Sequence, residues 1–233
     1  MDINMLKSKL PAFPRTAHLP HKPNASEDDI VAEAFEVSVV FQCPVHVEEK
    51  IDGASMGMTL FDGYPVLRNR DHILKKGYLK DTPAKKQFVP AWNWFYKYQD
   101  RFRQLEGYSV YGEWMWARHG IYYDRLPDWF IAYDVFDQNT GQFIEPILAR
   151  KMLCDAGFAV PFVRYIGEID DYGHLEAMAN QMSPWAENDS EGIYLKLDDG
   201  KQVTHHFKMV RKDFIRGRFW DGKKMMRNAI IGS

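Results

Sequence analysis

Glu48-Glu49-Lys50-Ile51-Asp52-Gly53 closes an apolar, strand-like run, Cys43-Pro44-Val45-His46-Val47, and sets a lysine between two carboxylates and a carboxylate-glycine turn. An amine is a useful nucleophile only once it has lost its proton, which takes desolvation or neighbouring cations. Glu49 and Asp52 by themselves hold the proton on, so a reactive Lys50 requires cations or a bound metal from elsewhere in the chain. Taken alone, the stretch also reads as a surface hairpin turn closed by Asp-Gly. The residues around it decide between the two.

Outward from this stretch the pattern is strand-like from Phe35 to Phe61. Phe35, Val37, Val39 and Phe41 alternate, then Val45 and Val47, then Met56, Met58 and Leu60. Asp62-Gly63 predicts a tight turn into Tyr64-Pro65-Val66-Leu67, which puts Lys50 in an antiparallel meander at the end of one strand. Residues 1–34 are irregular. Pro11, Pro14, Pro20 and Pro23 break long elements, and Ser26-Glu27-Asp28-Asp29 predicts the cap of a short helix to Ala34.

Further on, residues 71–90 are lysine-rich (Lys75, Lys76, Lys80, Lys85, Lys86) and read as a solvated connector or a basic loop beside a phosphate ligand. Pro90 opens a helix with Trp92, Phe95, Tyr96 and Phe102 on one side and Trp94, Tyr98 and Leu105 on the other, which predicts burial of both faces. Tyr108–Glu113 and Trp129–Asp137 read as strands, the first ending in a carboxylate beside a glycine. Glu145-Pro146 starts a helix stopped by Gly157. A second helix carries Leu175, Met178, Ala179 and Met182 up to Pro184. Two strands, Gly192–Leu197 and Gln202–Val210, are joined by Asp198-Asp199-Gly200, and a basic tail (211–233) alternates cations with aromatics. The strand signals cluster instead of alternating with helices, so the expected class is α+β: antiparallel sheets face to face, with flanking helices and a cleft between them.

Composition narrows the function classes. At 233 residues with 45% hydrophobic and 27% charged content, the chain is long enough for a real core. Net charge is −2, so any nucleic-acid surface must be local. Two cysteines, Cys43 and Cys154, make no disulfide framework, and the N-terminus lacks a signal peptide's apolar core. No apolar run reaches the roughly 18 residues of a membrane span. A cytoplasmic protein with no membrane partner is expected.

Several charged residues fall at predicted strand ends: Lys50, Arg68, Glu113, Glu191 and Lys208. Converging on one cleft, they make chemical sense. Lys208 and Arg68 would supply the positive field that lowers the Lys50 pKa and balances a phosphate. Glu191 would hold a divalent metal through hard oxygen ligands. Glu113 would take a ribose hydroxyl, and Tyr133 would stack on a base.

In this order the pieces resemble the covalent nucleotidyltransferases, the superfamily of polynucleotide ligases and capping enzymes. Lys50-Ile51-Asp52-Gly53 is similar to the nucleophile motif KxDG, Arg68-Asn69 to the following arginine motif, and Tyr111-Gly112-Glu113-Trp114 to the carboxylate motif. Ile131–Asp137 resembles the aromatic strand that stacks the purine, Ser190–Lys196 the EGxxxK metal strand, and Phe207-Lys208-Met209-Val210-Arg211 the last, phosphate-contacting motif. The likeness is greatest to ATP-dependent RNA ligases of the RNA ligase 2 type, whose bacterial members open much like Phe13-Pro14-Arg15-Thr16 to His18-Leu19-Pro20.

The resemblance implies a single adenylyltransferase domain over 1–233 with an ATP-grasp-like nucleotidyltransferase fold. It further implies ATP as cofactor with AMP linked to Lys50, Mg²⁺ or Mn²⁺ on Glu191, and RNA with 5′-phosphate and 3′-hydroxyl ends as partner. Lys50, Lys208 and Arg68 would be catalytic, and Glu49, Asp52, Gly53, Glu113, Tyr133, Glu191 and Arg211 would complete the ATP site. Val210 stands where the family carries a second lysine, which leaves Arg211 as the substitute. The chain ends soon after this motif, with no room for an oligonucleotide-binding barrel. The alternatives are a minimal DNA ligase, a capping-type enzyme, or a non-catalytic nucleotide- or RNA-binding module.

Overall fold

A computed structural model of the chain describes residues 3–21, 24–25, 29–75, 86–187, 190–215, 217 and 225–232. Its strands form two five-stranded sheets. Sheet one, in the order β1-β10-β9-β2-β8, contains β1 (Ala17–His18), β2 (Val45–Lys50), β8 (Val163–Gly167), β9 (Gly192–Asp198) and β10 (Val203–Val210). Sheet two, β4-β3-β5-β6-β7, contains β3 (Ala54–Phe61), β4 (Tyr64–Asn69), β5 (Tyr108–Trp114), β6 (Phe130–Asp137) and β7 (Gln142–Phe143). Every named pairing is antiparallel except the short β1, which runs parallel to β10. The chain passes from one sheet to the other at Ile51-Asp52-Gly53, so the stretch quoted first is the crossover that defines the architecture.

Strand alternation gives each sheet two chemically different faces. On sheet one, Val45, Val47, Ile193, Leu195, Phe207 and Met209 pack outward. There they meet α2 (Ala34–Val37) and the C-terminal helix Tyr172–Ala179 through Val37, Leu175 and Met178. His46, Glu48, Lys50, Tyr194, Lys196, His206 and Lys208, one residue out of phase, belong to the opposite face. Sheet two buries Met56, Met58, Trp114 and Phe130 against Trp94, Phe95, Phe102 and Leu153 from its own helices. Apolar layers therefore lie outside; the inner face of sheet one is polar, and that of sheet two carries a second apolar cluster, Val66, Tyr111 and Phe136, packed with Leu10 and Phe13.

Local chemistry sets most element ends. Asp62 (φ 50°) and Gly63 (φ 76°) make the β3–β4 turn with two left-handed residues, which Asp-Gly tolerates. Glu145 caps the helix Pro146–Asp155 by accepting from the Ile147 and Leu148 amides. Asp171 likewise accepts from His174 N at the start of Tyr172–Ala179.

The structure departs from the sequence expectations at several places. Phe35–Phe41 is not a strand but α2 followed by a 3₁₀ turn, Ser38–Phe41. A reciprocal capping box between Glu33 and Glu36 starts it, and Val37 and Val40, three apart, are the buried pair. No helix runs from Asp29, because Val31 bridges to His18 instead; Ser26, Glu27 and Asp28 lie outside the described residues. Residues 1–34 hold helix α1 (Ile3–Lys9) and β1. The helix opened by Pro90 breaks at Tyr98 into Val89–Lys97 and Gln99–Arg103. Met182 is exposed beyond the end of its helix, and β8 is a strand the sequence did not signal. Most of the lysine-rich connector (76–85) and much of the tail (216, 218–224) lie outside the described residues. Among those described, no helix is long and apolar enough to cross a membrane.

Candidate active site

Lys50 ends β2 opposite Gly192 on β9, which brings Glu191 to its side: Lys50 Nζ donates to Glu191 Oε2 at 2.6 Å. Glu113, opposite Ser55 on β3, completes an acidic surround. Burial would pull the lysine's pKa down, but Glu191 and Glu113 outweigh it and hold Lys50 above the ordinary lysine value. Burial also raises Glu191, yet the contact with the ammonium favours the ion pair. Glu113 is pushed up to about 8, first by burial and then by Glu191 and Asp52, despite Lys50. The expectation that Lys208 and Arg68 would keep the amine uncharged is therefore corrected. Lys50 is an ammonium, because its Nζ is paired with Glu191 and Asp52 stands nearby.

Asp52 has a structural task. Its Oδ2 accepts from the Gly120 (2.5 Å) and Ile121 (2.9 Å) amides, and its own amide donates to Tyr123 Oη at 3.0 Å. The crossover is thereby pinned to the loop that follows β5. Gly53 has no room for a side chain, since a Cβ there would lie 2.6 Å from Met115 Sδ and 3.1 Å from the Trp114 carbonyl.

Two connected spaces meet at Lys50. One is a narrow pocket walled by Phe13, Ile51, Tyr133 and Tyr194. The Tyr133 ring stands edge-on to Phe13 (5.4 Å, 74°) and 5.8 Å from Tyr194. The other is a wider polar cleft lined by Arg15, Arg70, Glu113, His119, Glu191 and Lys208. An aromatic slot opening past an amine into a polar, cation-bearing cleft matches the shape and polarity of a nucleoside triphosphate.

Other residues singled out in the sequence are placed differently. Lys208 reaches the cleft, where its Nζ donates to Asp29 Oδ1 at 2.7 Å. Arg68 does not reach it. Its buried guanidinium donates to the carbonyls of Leu10, Asn69 and Arg70. Arg70, two residues on, lines both spaces and was missed; the arginine repeat Arg68-Asn69-Arg70 was the available signal. Arg211 also turns away, with Nε donating to the Ser190 carbonyl (2.7 Å) and Nη1 beside Asp213 (3.2 Å). Val210 packs with Ile51, Met115 and Tyr123 beneath the crossover, and Arg211 lines neither the aromatic pocket nor the polar cleft that meet at Lys50. Glu49 touches the pocket, but its carboxylate is paired with Arg164 at 3.0 Å.

Behind the aromatic slot lies a buried charge cluster the sequence did not predict. Lys196 Nζ sits 2.9 Å from Glu48 Oε2 and 2.9 Å from Asp134 Oδ1 and donates to the Tyr133 carbonyl at 2.5 Å. His46 and His206 back the two carboxylates at 3.2 Å and 3.4 Å. This ties sheet one to the segment of sheet two that carries Tyr133.

Two antiparallel-rich sheets with flanking helices thus meet at a partly buried lysine beside an aromatic slot. The RNA ligase family model matches residues 44–210, and the chain belongs to that family. Similar solved structures are those of Naegleria gruberi RNA ligase. The apo form of a point mutant gives a TM-score of 0.59 at 16% identity, covering 86% of this chain and 59% of that one. The complex with pyrophosphate gives 0.57 at 16% identity (91% and 60%), and a mutant with ATP and Mn gives 0.56 at 18% (87% and 61%). The chain thus spans about three fifths of the length of those proteins. No curated protein sequence matches it.

Proposed function

We propose that this chain is an ATP-dependent RNA ligase acting through a lysyl-AMP intermediate on 5′-phosphate and 3′-hydroxyl ends, with residues 1–233 serving as one adenylyltransferase unit. The observation that carries the reading is the meeting of Lys50 and Glu191, 2.6 Å apart, at the mouth of the aromatic slot. The similar Naegleria gruberi RNA ligase structures include complexes with pyrophosphate, with ATP and Mn, and with AMP and Mn. A cytoplasmic setting goes with the two free cysteines.

In this reading adenine enters the slot beside Tyr133, and the triphosphate faces Arg70 and Lys208. Lys50 Nζ passes its proton to Glu191, its nearest acceptor, and its lone pair attacks the α-phosphorus. The α–β phosphoanhydride bond breaks, pyrophosphate leaves, and a phosphoramidate forms. An oxygen of the RNA 5′-phosphate then attacks that phosphorus and Lys50 departs with a proton. Finally the 3′-hydroxyl attacks the activated 5′-phosphate and AMP is released. Lys208 and Arg70 neutralise charge on the phosphate oxygens while the surrounding strands fix the line of attack.

A divalent cation fits these residues. Glu113 Oε2 is buried without a hydrogen-bond partner and, with Glu191, offers hard oxygens. No group of three or more protein ligands occurs among the described residues, which suits Mg²⁺ or Mn²⁺ shared with substrate phosphates. Glu191, with Glu113, would hold such an ion, and it would supply Lewis-acid neutralisation of the triphosphate.

A second reading, a nucleotide- or RNA-binding module without turnover, is favoured by Val210, an apolar residue where a phosphate cation is expected. Incubation of the chain with ATP, Mg²⁺ and nicked duplexes bearing RNA or DNA on each side of the break separates the readings. Sealing with an RNA 3′-hydroxyl side supports the ligase. Equal sealing of all-DNA nicks supports a minimal DNA ligase, and ATP binding with no pyrophosphate release supports the module.

A further inference from the structure

The opening Phe13-Pro14-Arg15-Thr16 to His18-Leu19-Pro20 carries part of the family likeness, yet the chemistry above gives its polar residues no task. Their placement does. β1 lies along β10 with His18 opposite Lys208, and the Leu19 amide donates to the Lys208 carbonyl at 2.9 Å. The chain then doubles back. His18 N donates to the Ile30 carbonyl (2.7 Å) and Ala32 N to the His18 carbonyl (2.9 Å), which brings Asp29 over Lys208. Asp29 Oδ1 accepts from Lys208 Nζ at 2.7 Å, and His18 Nε2 stands 3.4 Å from the same oxygen. His18 is fully buried, and the ion pair exposes only 13% and 14% of its two side chains.

The charges around Lys208 make this contact matter. Lys50 comes from β2, Glu191 from the turn before β9, and the Tyr194 hydroxyl from β9 itself. The N-terminal segment adds Arg15, His18 and Asp29. Burial and Lys50 both disfavour the ammonium form of Lys208; Asp29, in direct contact, opposes them most, and Glu191, itself engaged by Lys50, adds less. An ammonium has three donors, so Asp29 occupies one and leaves two for phosphate oxygens.

We propose that Asp29, backed by His18, is a positioning residue of the adenylylation site, fixing the Lys208 ammonium on the cleft wall where the triphosphate of ATP arrives. This rests on the ligase reading. It gives the N-terminal segment a chemical role, because β1 and the return to Asp29 are what aim a cation 179 residues away in sequence.

The test uses the full chain, α-labelled ATP and Mg²⁺, with initial labelling rates measured against ATP concentration from pH 6 to 10. Asp29→Asn is expected to raise KM for ATP about tenfold at neutral pH and to move the alkaline break in kcat/KM down by about one pH unit. Asp29→Glu keeps most of the activity. Adding Lys208→Arg to Asp29→Asn returns the alkaline break to high pH, since a guanidinium does not lose its proton there. Should Asp29→Asn not fold, His18→Gln, which leaves the ion pair but loosens its backing, shows the same alkaline shift in smaller measure. A wild-type KM and pH profile in Asp29→Asn overturns the inference, as does a loss equal at every pH and untouched by Lys208→Arg. Absence of label on the wild type overturns the ligase reading itself, and the inference with it.

Discussion

Lys196 on sheet one and Asp134 on sheet two lie 2.9 Å apart, both essentially without solvent exposure, and form a charged contact between the two sheets directly behind Tyr133. Burying ions is expensive, and removing one member of such a group leaves the others uncompensated, at a cost of about 3–5 kcal/mol. Lys196→Met strands Glu48 as well as Asp134. The variant is predicted to melt about 10 °C lower in a calorimetric scan. An unchanged melting point would show that the cluster contributes no net stability.

The same cluster sets an acid limit. Burial alone would raise Glu48 and Asp134, yet Lys196 and the histidines hold both below the ordinary carboxylate value. Depressed carboxylates add stability that is complete above their unfolded pKa, near 4, and lost as pH falls through the folded values. Lys196, held above the usual lysine value by Asp134 and Glu48 against its burial, adds stability lost only when pH climbs through that raised value. The cluster is predicted to make the melting temperature fall below about pH 4. Above about pH 5 it declines gradually toward pH 8, because Glu113, raised to about 8, ionises in the unfolded chain before it does in the folded one. In Lys196→Met the acid fall is shallower.

Arg68 and Arg70 are predicted to separate structure from binding. Arg68→Ala removes a buried donor from the carbonyls of Leu10, Asn69 and Arg70 and should destabilise the chain by about 1.5–3 kcal/mol. Arg70→Ala should leave the melting curve in place and weaken ATP binding. The reverse outcome, measured by calorimetry and nucleotide titration, would return the phosphate role to Arg68.

What the sequence made legible is what local chemistry dictates. The Asp-Gly turn, the Glu145-Pro146 helix start and the strands read at Tyr108–Glu113 and Trp129–Asp137, found at Tyr108–Trp114 and Phe130–Asp137, follow from the pattern of a few residues. Lys50, Glu113, Glu191 and Lys208 sit at strand ends, so the strand pattern and the site were readable together. Side-chain aim was not. Arg68 and Arg211 carry the right charge but are turned aside by acceptors distant in sequence, the Leu10 carbonyl for Arg68 and the Ser190 carbonyl for Arg211. Phe35–Phe41 alternates like a strand, but the Glu33–Glu36 capping box overrides it. The Asp29–Lys208 contact depends on β1 returning alongside β10, which no local pattern announces.

Gly53→Ala places a methyl 2.6 Å from Met115 Sδ and against the Trp114 carbonyl, at the point where the chain changes sheets. Overpacking of this kind costs about 1–3 kcal/mol, and here the displaced atoms adjoin Lys50. A lower melting point together with impaired nucleotide binding is expected. A variant indistinguishable from wild type in both would show that the crossover has slack.

Glu113, pushed up to about 8, is largely protonated in the empty cleft at neutral pH. Its ionisation adds a negative charge beside the triphosphate. In metal-free buffer, ATP affinity is predicted to drop several-fold as pH rises from 6.5 to 9.5, and Glu113→Gln to flatten that dependence. Fluorescence titration with ATP at the two pH values decides it.

The most direct measurement asks whether Lys50 captures an adenylate. The purified chain, incubated with α-labelled ATP and Mg²⁺ or Mn²⁺ and then denatured, is predicted to carry label that is stable in base, released by acid as AMP, and missing from Lys50→Ala. Label that persists in Lys50→Ala, or none on the wild-type chain with either metal, would contradict the account.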